Sequence, residues 1–277
     1  MRTRLALIAT VALLLGLLAI LNAASYVYKN EPAADSEFNP NRSSYHEGNT
    51  GTRGLFEFLQ GSDYRVVRWR KSLVSLLDGG ASRPQVLLII GRTRIPFDEK
   101  EHVSLARWVG EGGRLVIVDR ELAPELLRML AGWHLFARML AEPSFTLGEE
   151  KPEAVTQGVT QLSPAQPTLL TREVKAIMPS RYAARLTLSV IDAGEDDEEE
   201  TDGELSSPTP PPAAHTGDEE EAEEEAPLST APVVHFSDEQ GALLVDHAYG
   251  GGRIMLLSDP FLLANMASLA RIICSSP

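Results

Sequence analysis

Hydrophobic positions are arranged along this chain in three ways. The first is a block: Leu5 to Leu21 run unbroken apart from Thr10. A bilayer needs about 20 apolar residues, so this run, extended by Ala23, Ala24, Tyr26, Val27 and Tyr28, predicts a membrane-spanning helix over 1–28. Arg2 and Arg4 precede it. The positive-inside bias then leaves the start in the cytoplasm and places everything after Tyr28 outside. The competing reading is a cleaved signal peptide, with an apolar region of about 7–15 residues before a small-x-small site. Asn22-Ala23-Ala24 is a poor match to such a site. Either reading puts the bulk of the chain outside the cytoplasmic membrane, which removes nucleic acid, ATP and NAD as expected ligands.

The second arrangement is periodic. After a polar tether over 29–43, Asn49 and Thr50 are placed to cap a helix in which Leu55, Phe58 and Leu59 share a face. Tyr64 to Trp69 read as extended, and Ser72 to Leu77 as a short helix. Val86 to Ile90 is a continuous apolar run of the kind buried on both faces of a parallel sheet. Asp98 caps a second helix with Val103, Leu105, Ala106 and Val109 as its stripe, Gly112-Gly113 ends it, and Leu115 to Val118 is another buried strand. Strand, helix, Gly-Gly and strand in this order predict a right-handed βαβ unit. Helix is expected from Leu122 to Ala131, and antiparallel strands at Ser144 to Leu147 and Arg185 to Ile191. Val233 to Phe236, Ala242 to Ala248 and Arg253 to Leu257 follow as strands, and Ser258-Asp259-Pro260 opens a short helix. The expected fold is α/β, a mainly parallel sheet with flanking helices.

The third arrangement is an absence. Between Glu195 and Glu225 lie 15 acids and no Lys or Arg. The formal net charge of −14 therefore belongs to this stretch, since the other 24 acids face 25 Lys and Arg. Residues 192–230 are expected to be a disordered acidic, Pro-rich insert, because the apolar area they can bury does not offset their ordering entropy. The folded unit is then a single domain over 44–191 plus 231–277.

Several segments together resemble one family: Ser44, Tyr45, Gly51, Thr52, Gly54, Leu55 and Phe58 at a helix start; Tyr64 and Val66; Arg68-Trp69-Arg70; Leu105, Trp108, Val109 and Gly112 to Val116; and Gly251 to Pro260 followed by Asn265. They resemble bacterial membrane proteins carrying the domain of unknown function 4350, a relative of the class I glutamine-amidotransferase-like flavodoxin architecture. The resemblance implies a membrane-tethered extracytoplasmic domain without assigned activity, working beside other membrane-associated proteins, ATPase-linked systems among them. Members continue beyond the Ser-Asp-Pro…Asn helix, so a truncated product is one reading of the end at Pro277.

Amidotransferases place a nucleophilic Cys on a sharp turn after a central strand. Here the turn after Leu115 to Val118 carries Asp119-Arg120-Glu121, and the single Cys is Cys274. One cysteine excludes an intramolecular disulfide and a Cys-rich zinc site, the six histidines show no metal spacing, and no cofactor or metal is expected. Gly48 to Gly54 is the most suggestive stretch: small residues at a helix start expose N–H groups, and Arg53 adds a fork for an anion. Its plainer reading is a tightly packed helix start. Asn49, Thr50 and Arg53, with Asp119, Asp259 and Asn265 at the carboxyl edge of the strands, are the candidate ligand-binding residues. The alternative is a hydrolase-like enzyme using Ser258 and His247, with Asp246 to orient the histidine. Arg65, Arg68, Arg70 and Lys71, interleaved with Tyr64 and Trp69, are expected to guard a solvated strand edge; anionic headgroups or the acidic insert are the other partners considered.

Overall fold

A computed structural model of the chain describes residues 2–30, 34–78, 83–122, 133–145, 150–190 and 231–269. The expected insert 192–230, Cys274 and all of the expected Leu122 to Ala131 helix except Leu122 lie outside them.

The chain opens with helix α1, Arg2–Asn30. Its described side chains, Arg4 and residues 10–23, are exposed, and this stretch is shorter than a bilayer span. Among the described residues no helix is long and apolar enough to cross a membrane. Helix α2 is Arg53–Gly61, and a 3-10 turn covers Leu73–Leu77 with Ser72 as its cap.

Strand β1 (Val86–Ile90), helix α3 (Glu99–Gly110) and strand β2 (Arg114–Val118) form the expected βαβ unit, with β1 and β2 parallel. Helix α3 starts where the sequence indicates: Asp98 accepts the Glu101 N–H at 2.8 Å and the Glu101 carboxylate accepts the Asp98 N–H at 3.2 Å, a capping box. There follow β3 (Trp133–Met139), α4 (Pro152–Val155), β4 (Ala184–Val190), β5 (Val233–Asp238), β6 (Gly241–Tyr249), β7 (Gly252–Leu257), a 3-10 turn (Pro260–Leu263) and α5 (Asn265–Leu269). The seven strands make one mixed sheet in the order β1-β2-β7-β6-β4-β3, with β5 also on β6. β1, β2 and β7 are its parallel half, and the other pairings are antiparallel. The mainly parallel expectation therefore holds for the half built on β2 alone.

The last strand fits between β2 and β6 because its approach carries no side chains. A Cβ on Gly252 would collide with the Val109 and Gly113 carbonyl oxygens, and Gly250, at φ +55°, turns the β6–β7 hairpin. Trp108, Leu105 and Val109 of α3 pack on Leu115, Ile117, Ile254 and Leu256 to form the main core.

Three expectations change. β1 is at the edge of the sheet among the described strands, and its Val86 is 51% exposed and Leu88 36% exposed, on the face opposite buried Leu87, where burial on both faces was expected. Described residues 142–145 are not a strand, and β4 pairs antiparallel with Trp133–Met139 on one side and with β6 on the other. Residues 64–70 form no strand, so no sheet edge exists there to guard.

Candidate functional site

Parallel pairing of β2 with β7 brings their carboxyl ends level, and the Asp119 N–H donates to the Leu257 carbonyl at 3.1 Å. Asp119-Arg120 and Ser258-Asp259 thus leave the sheet side by side. Asp259, fully buried, accepts the Ser180 N–H at 2.6 Å and the Ser180 hydroxyl at 2.8 Å, and caps the following turn by accepting the Phe261 N–H at 3.3 Å. Arg120 lies 3.8 Å from it and also donates to Glu37, whose side chain is fully buried. Arg42 donates to the same Glu37 carboxylate. The Glu37 N–H in turn donates to Glu150 at 2.8 Å, and the Tyr182 hydroxyl donates to the other Glu150 oxygen at 3.3 Å. The result is a buried alternation of charge: Arg42, Glu37, Arg120, Asp259.

Burial raises the Asp259 carboxyl above its ordinary value of 3.8, with Arg120 and the Ser180 bonds pulling the other way. Burial likewise raises Asp119, against the Arg120 backbone bond and the charges of Arg92, Arg120 and Arg42. Among the described residues no group of three or more His, Cys, Asp or Glu is arranged to hold a metal ion.

The Gly48 to Gly54 loop joins this network. Thr50 N–H donates to Asp35 at 3.1 Å, Gly51 N–H to Gly48 O at 3.0 Å, Thr52 N–H to Ser43 O at 3.2 Å and Gly54 N–H to Asn265 Oδ1 at 2.8 Å. The carboxylate of Asp35 stands where an external anion was expected. Asn49 and Thr50 do not cap α2, whose N-cap is Thr52 without a side-chain bond. Asn49 instead donates to Glu150 O at 3.0 Å, and the Thr50 hydroxyl bonds Asp35 and accepts the Asn41 N–H at 2.8 Å. Arg53 is spent on surface pairs with Glu47 and Glu57. The Asn265 amide donates to Gly48 O at 2.7 Å and His46 O at 3.1 Å. All six candidates therefore lie at one end of the parallel strands, and each is used in a bond within the chain.

The hydrolase pair does not assemble. The Ser258 hydroxyl, buried, donates to Ala184 O at 2.7 Å and Leu243 O at 3.2 Å. Its N–H bonds the same Leu243, whereas His247 pairs across with Ile254. Four positions of strand separate Leu243 from His247, about 13 Å at ~3.3 Å per residue. Asp246 is held by Arg253 through contacts of 2.9 and 2.6 Å and lies 3.8 Å from His235, not in a triad with His247.

The open surface lies elsewhere. A cleft of ≈220 Å³ is lined by Tyr45, Arg53, Phe56, Glu57, Gln60 and Arg68. The Arg68 guanidinium lies 3.6 Å from the Phe56 ring centre and 4.2 Å from that of Tyr45, and donates to Ser44 O at 2.8 Å. Arg70 approaches Tyr45 at 5.0 Å. Two members of the basic cluster, Arg68 and Arg70, are thus held in cation–π contacts.

A family model described as a domain of unknown function, DUF4350, matches residues 44–271. The chain belongs to this family. No curated protein matches it significantly. Among solved structures this DUF4350 chain is similar to the mmIFT52 N-terminal domain, at 12% identity and a TM-score of 0.44 over 78% of this chain and 82% of that one. It is also similar to the exo-beta-1,4-mannosidase Op5Man5 from Opitutaceae bacterium strain TAV5, at 11% identity and a TM-score of 0.33 over 72% of this chain and 27% of that one. A beta-galactosidase from Bacillus circulans sp. alkalophilus follows at 10% and 0.29, over 68% and 22%. The chain spans only about a quarter of either glycosidase. These likenesses add nothing to the amidotransferase relation.

Within this DUF4350 domain, sequence reasoning missed Glu37, Arg42, Arg120, Glu150 and Tyr182. Glu37 sits in the expected tether, yet Ser36 and Glu37 are buried. Its one available signal was the Arg42 five residues on, a charge of opposite sign in a segment otherwise without pattern. His235 was also passed over. It is buried, lies 3.0 Å from the Thr168 hydroxyl, and is lowered by burial against the pull of Asp246.

Proposed function

We propose that the chain is a single-pass protein of the cytoplasmic membrane, anchored by Leu5 to Leu21. Its α/β domain stands outside and binds a partner protein or small ligand without catalysing a reaction. Arg2 and Arg4 before the apolar run support the orientation. One observation carries the binding reading. Polar groups at the strand ends are turned inward and bonded to one another, while the Tyr45–Arg68 cleft opens to solvent with Tyr45 exposed and Phe56 and Arg68 half-buried. Catalysis needs an acid, base or nucleophile within reach of a substrate, and Ser258 and His247 do not provide one.

Photo-crosslinking in native membranes from positions 45 and 60, followed by identification of attached molecules, tests this. Specific adducts at these positions, absent from a control position on the exposed face of α3, are expected. Adducts no different from the control, or protection of the domain from protease added outside spheroplasts, would overturn the reading.

A further inference from the structure

Helix α1 ends at Asn30, and Asp35 is already bonded to Thr50 and lies 3.1 Å from His46. Five backbone steps separate Asn30 from Asp35, so the loop holding Asp35 lies within about 18 Å of the end of α1. That loop is continuous with the basic segment: Tyr45, next to His46, stacks under Arg68. A chain anchored through α1 therefore holds this side of the domain close to the bilayer.

The side has the chemistry of an interfacial surface. From Tyr64 to Leu77 the sequence has four cations and no acid. Arg65, Arg70 and Lys71 are exposed and form no ion pair among the described residues. Of the nearby acids, Glu47 and Glu57 are committed to Arg53, and Asp63 and Asp78 stand at the two ends of the run, leaving four cations against two acids. Tyr64, just before the first cation, and Val67, between Arg65 and Arg68 in the sequence, are 64% and 66% exposed. Aromatic rings at headgroup level and cations facing anionic lipid are the pattern by which peripheral surfaces settle on membranes.

We propose that Tyr45, Tyr64, Arg65, Val67, Arg70 and Lys71 form a docking face for the anionic phospholipid headgroups of the bilayer that holds α1. This rests on the anchoring reading above and names the ligand class of the same surface. The domain then lies against the membrane and presents its opposite side outward.

The full chain, with Cys274→Ser and an environment-sensitive fluorophore on Val67→Cys, is reconstituted in vesicles of phosphatidylcholine alone or mixed equally with phosphatidylglycerol. A blue shift with quenching by headgroup-nitroxide lipid is expected in the mixed vesicles only. Salt at about 1 M, where the screening length falls to ~3 Å, should abolish it. Arg65→Glu, Arg70→Glu and Lys71→Glu together should also abolish it, with an unchanged circular dichroism spectrum. No response in mixed vesicles, or an equal response in both, overturns the docking. A label shielded already in detergent and released by salt would show the acidic run Glu195 to Glu225 on this face, and would equally overturn it. Carbonate flotation of the same vesicles tests the anchor separately. Protein that fails to float overturns the anchor, while the label decides the docking in either case.

Discussion

The Oδ1 atom of Asn265 accepts the Gly54 N–H at 2.8 Å, so helix α2 is capped by a side chain 211 positions further along the chain. The local cap, Thr52, makes no such bond. The amide nitrogen of Asn265 meanwhile ties down the carbonyls of His46 and Gly48. Asn265→Ala should lower stability by about 1–3 kcal/mol, the sum expected for a lost cap and stranded polar groups. Urea denaturation with hydrogen exchange along α2 checks this. Loss of protection at residues 54–57 without change in β1 or β2 is the expected signature.

Arg120→Ala leaves Glu37, with no exposed side-chain surface, facing Arg42 alone. Removing one partner of a buried pair costs about 3–5 kcal/mol, because the remaining charge stays desolvated. Replacing both, Glu37→Gln with Arg120→Ala, should recover only part of that loss, because Arg42 and Asp259 then lose their charged partners too. A double-mutant cycle by denaturant titration reads the coupling, and additive losses would contradict the ion network.

Asp259 gives a pH dependence of definite sign. Burial raises its carboxyl above 3.8, so the folded state holds this proton more tightly than the unfolded chain does. Its stabilising contribution is complete below 3.8 and is lost as pH climbs through the raised value. Asp259→Asn cannot ionise, so the stability gap between it and the parent should be widest in acid and should narrow towards neutrality. Paired denaturation curves across that range, in which other titrating groups cancel, test the sign.

Ser258 is bonded to two backbone carbonyls inside the sheet. Ser258→Ala should cost about 1 kcal/mol of stability, the net value of such bonds. A fluorophosphonate probe should leave Ser258 unmodified in the folded protein. Labelling of Ser258 would restore the hydrolase alternative.

The parallel half of the sheet was readable because its strands are short apolar runs bounded by glycines: Val86–Ile90 before Gly91, Arg114–Val118 after Gly112-Gly113, and Gly252–Leu257 after Gly250-Gly251. Asp98 announced α3 because an N-cap is a local signal, and the structure adds Glu101 as the other half of a capping box within four neighbouring residues. β3 was not readable, since Trp133–Met139 includes His134 and Arg138 and follows a stretch that reads as helix. The burial of Glu37 was still less visible. Its partners Arg120 and Glu150 are 83 and 113 positions away, and only the assembled sheet supplies them. Local rules identify elements, whereas pairings over such distances depend on the fold as a whole.

The position of β7 has a consequence for how the chain acquires its structure. β7 can join β6 through a two-residue turn, a local and rapid event, but its pairing with β2 unites Arg114 with Arg253. Closing so large a loop costs entropy that no nearby contact repays, and chains dominated by such contacts fold slowly. The β5–β6–β7 meander should therefore form early, with one flank of β7 left unpaired until β2 arrives. During that interval the apolar edge at Ile254 and Leu256 is the part of the nascent molecule most exposed to intermolecular strand pairing, and to capture by a chaperone.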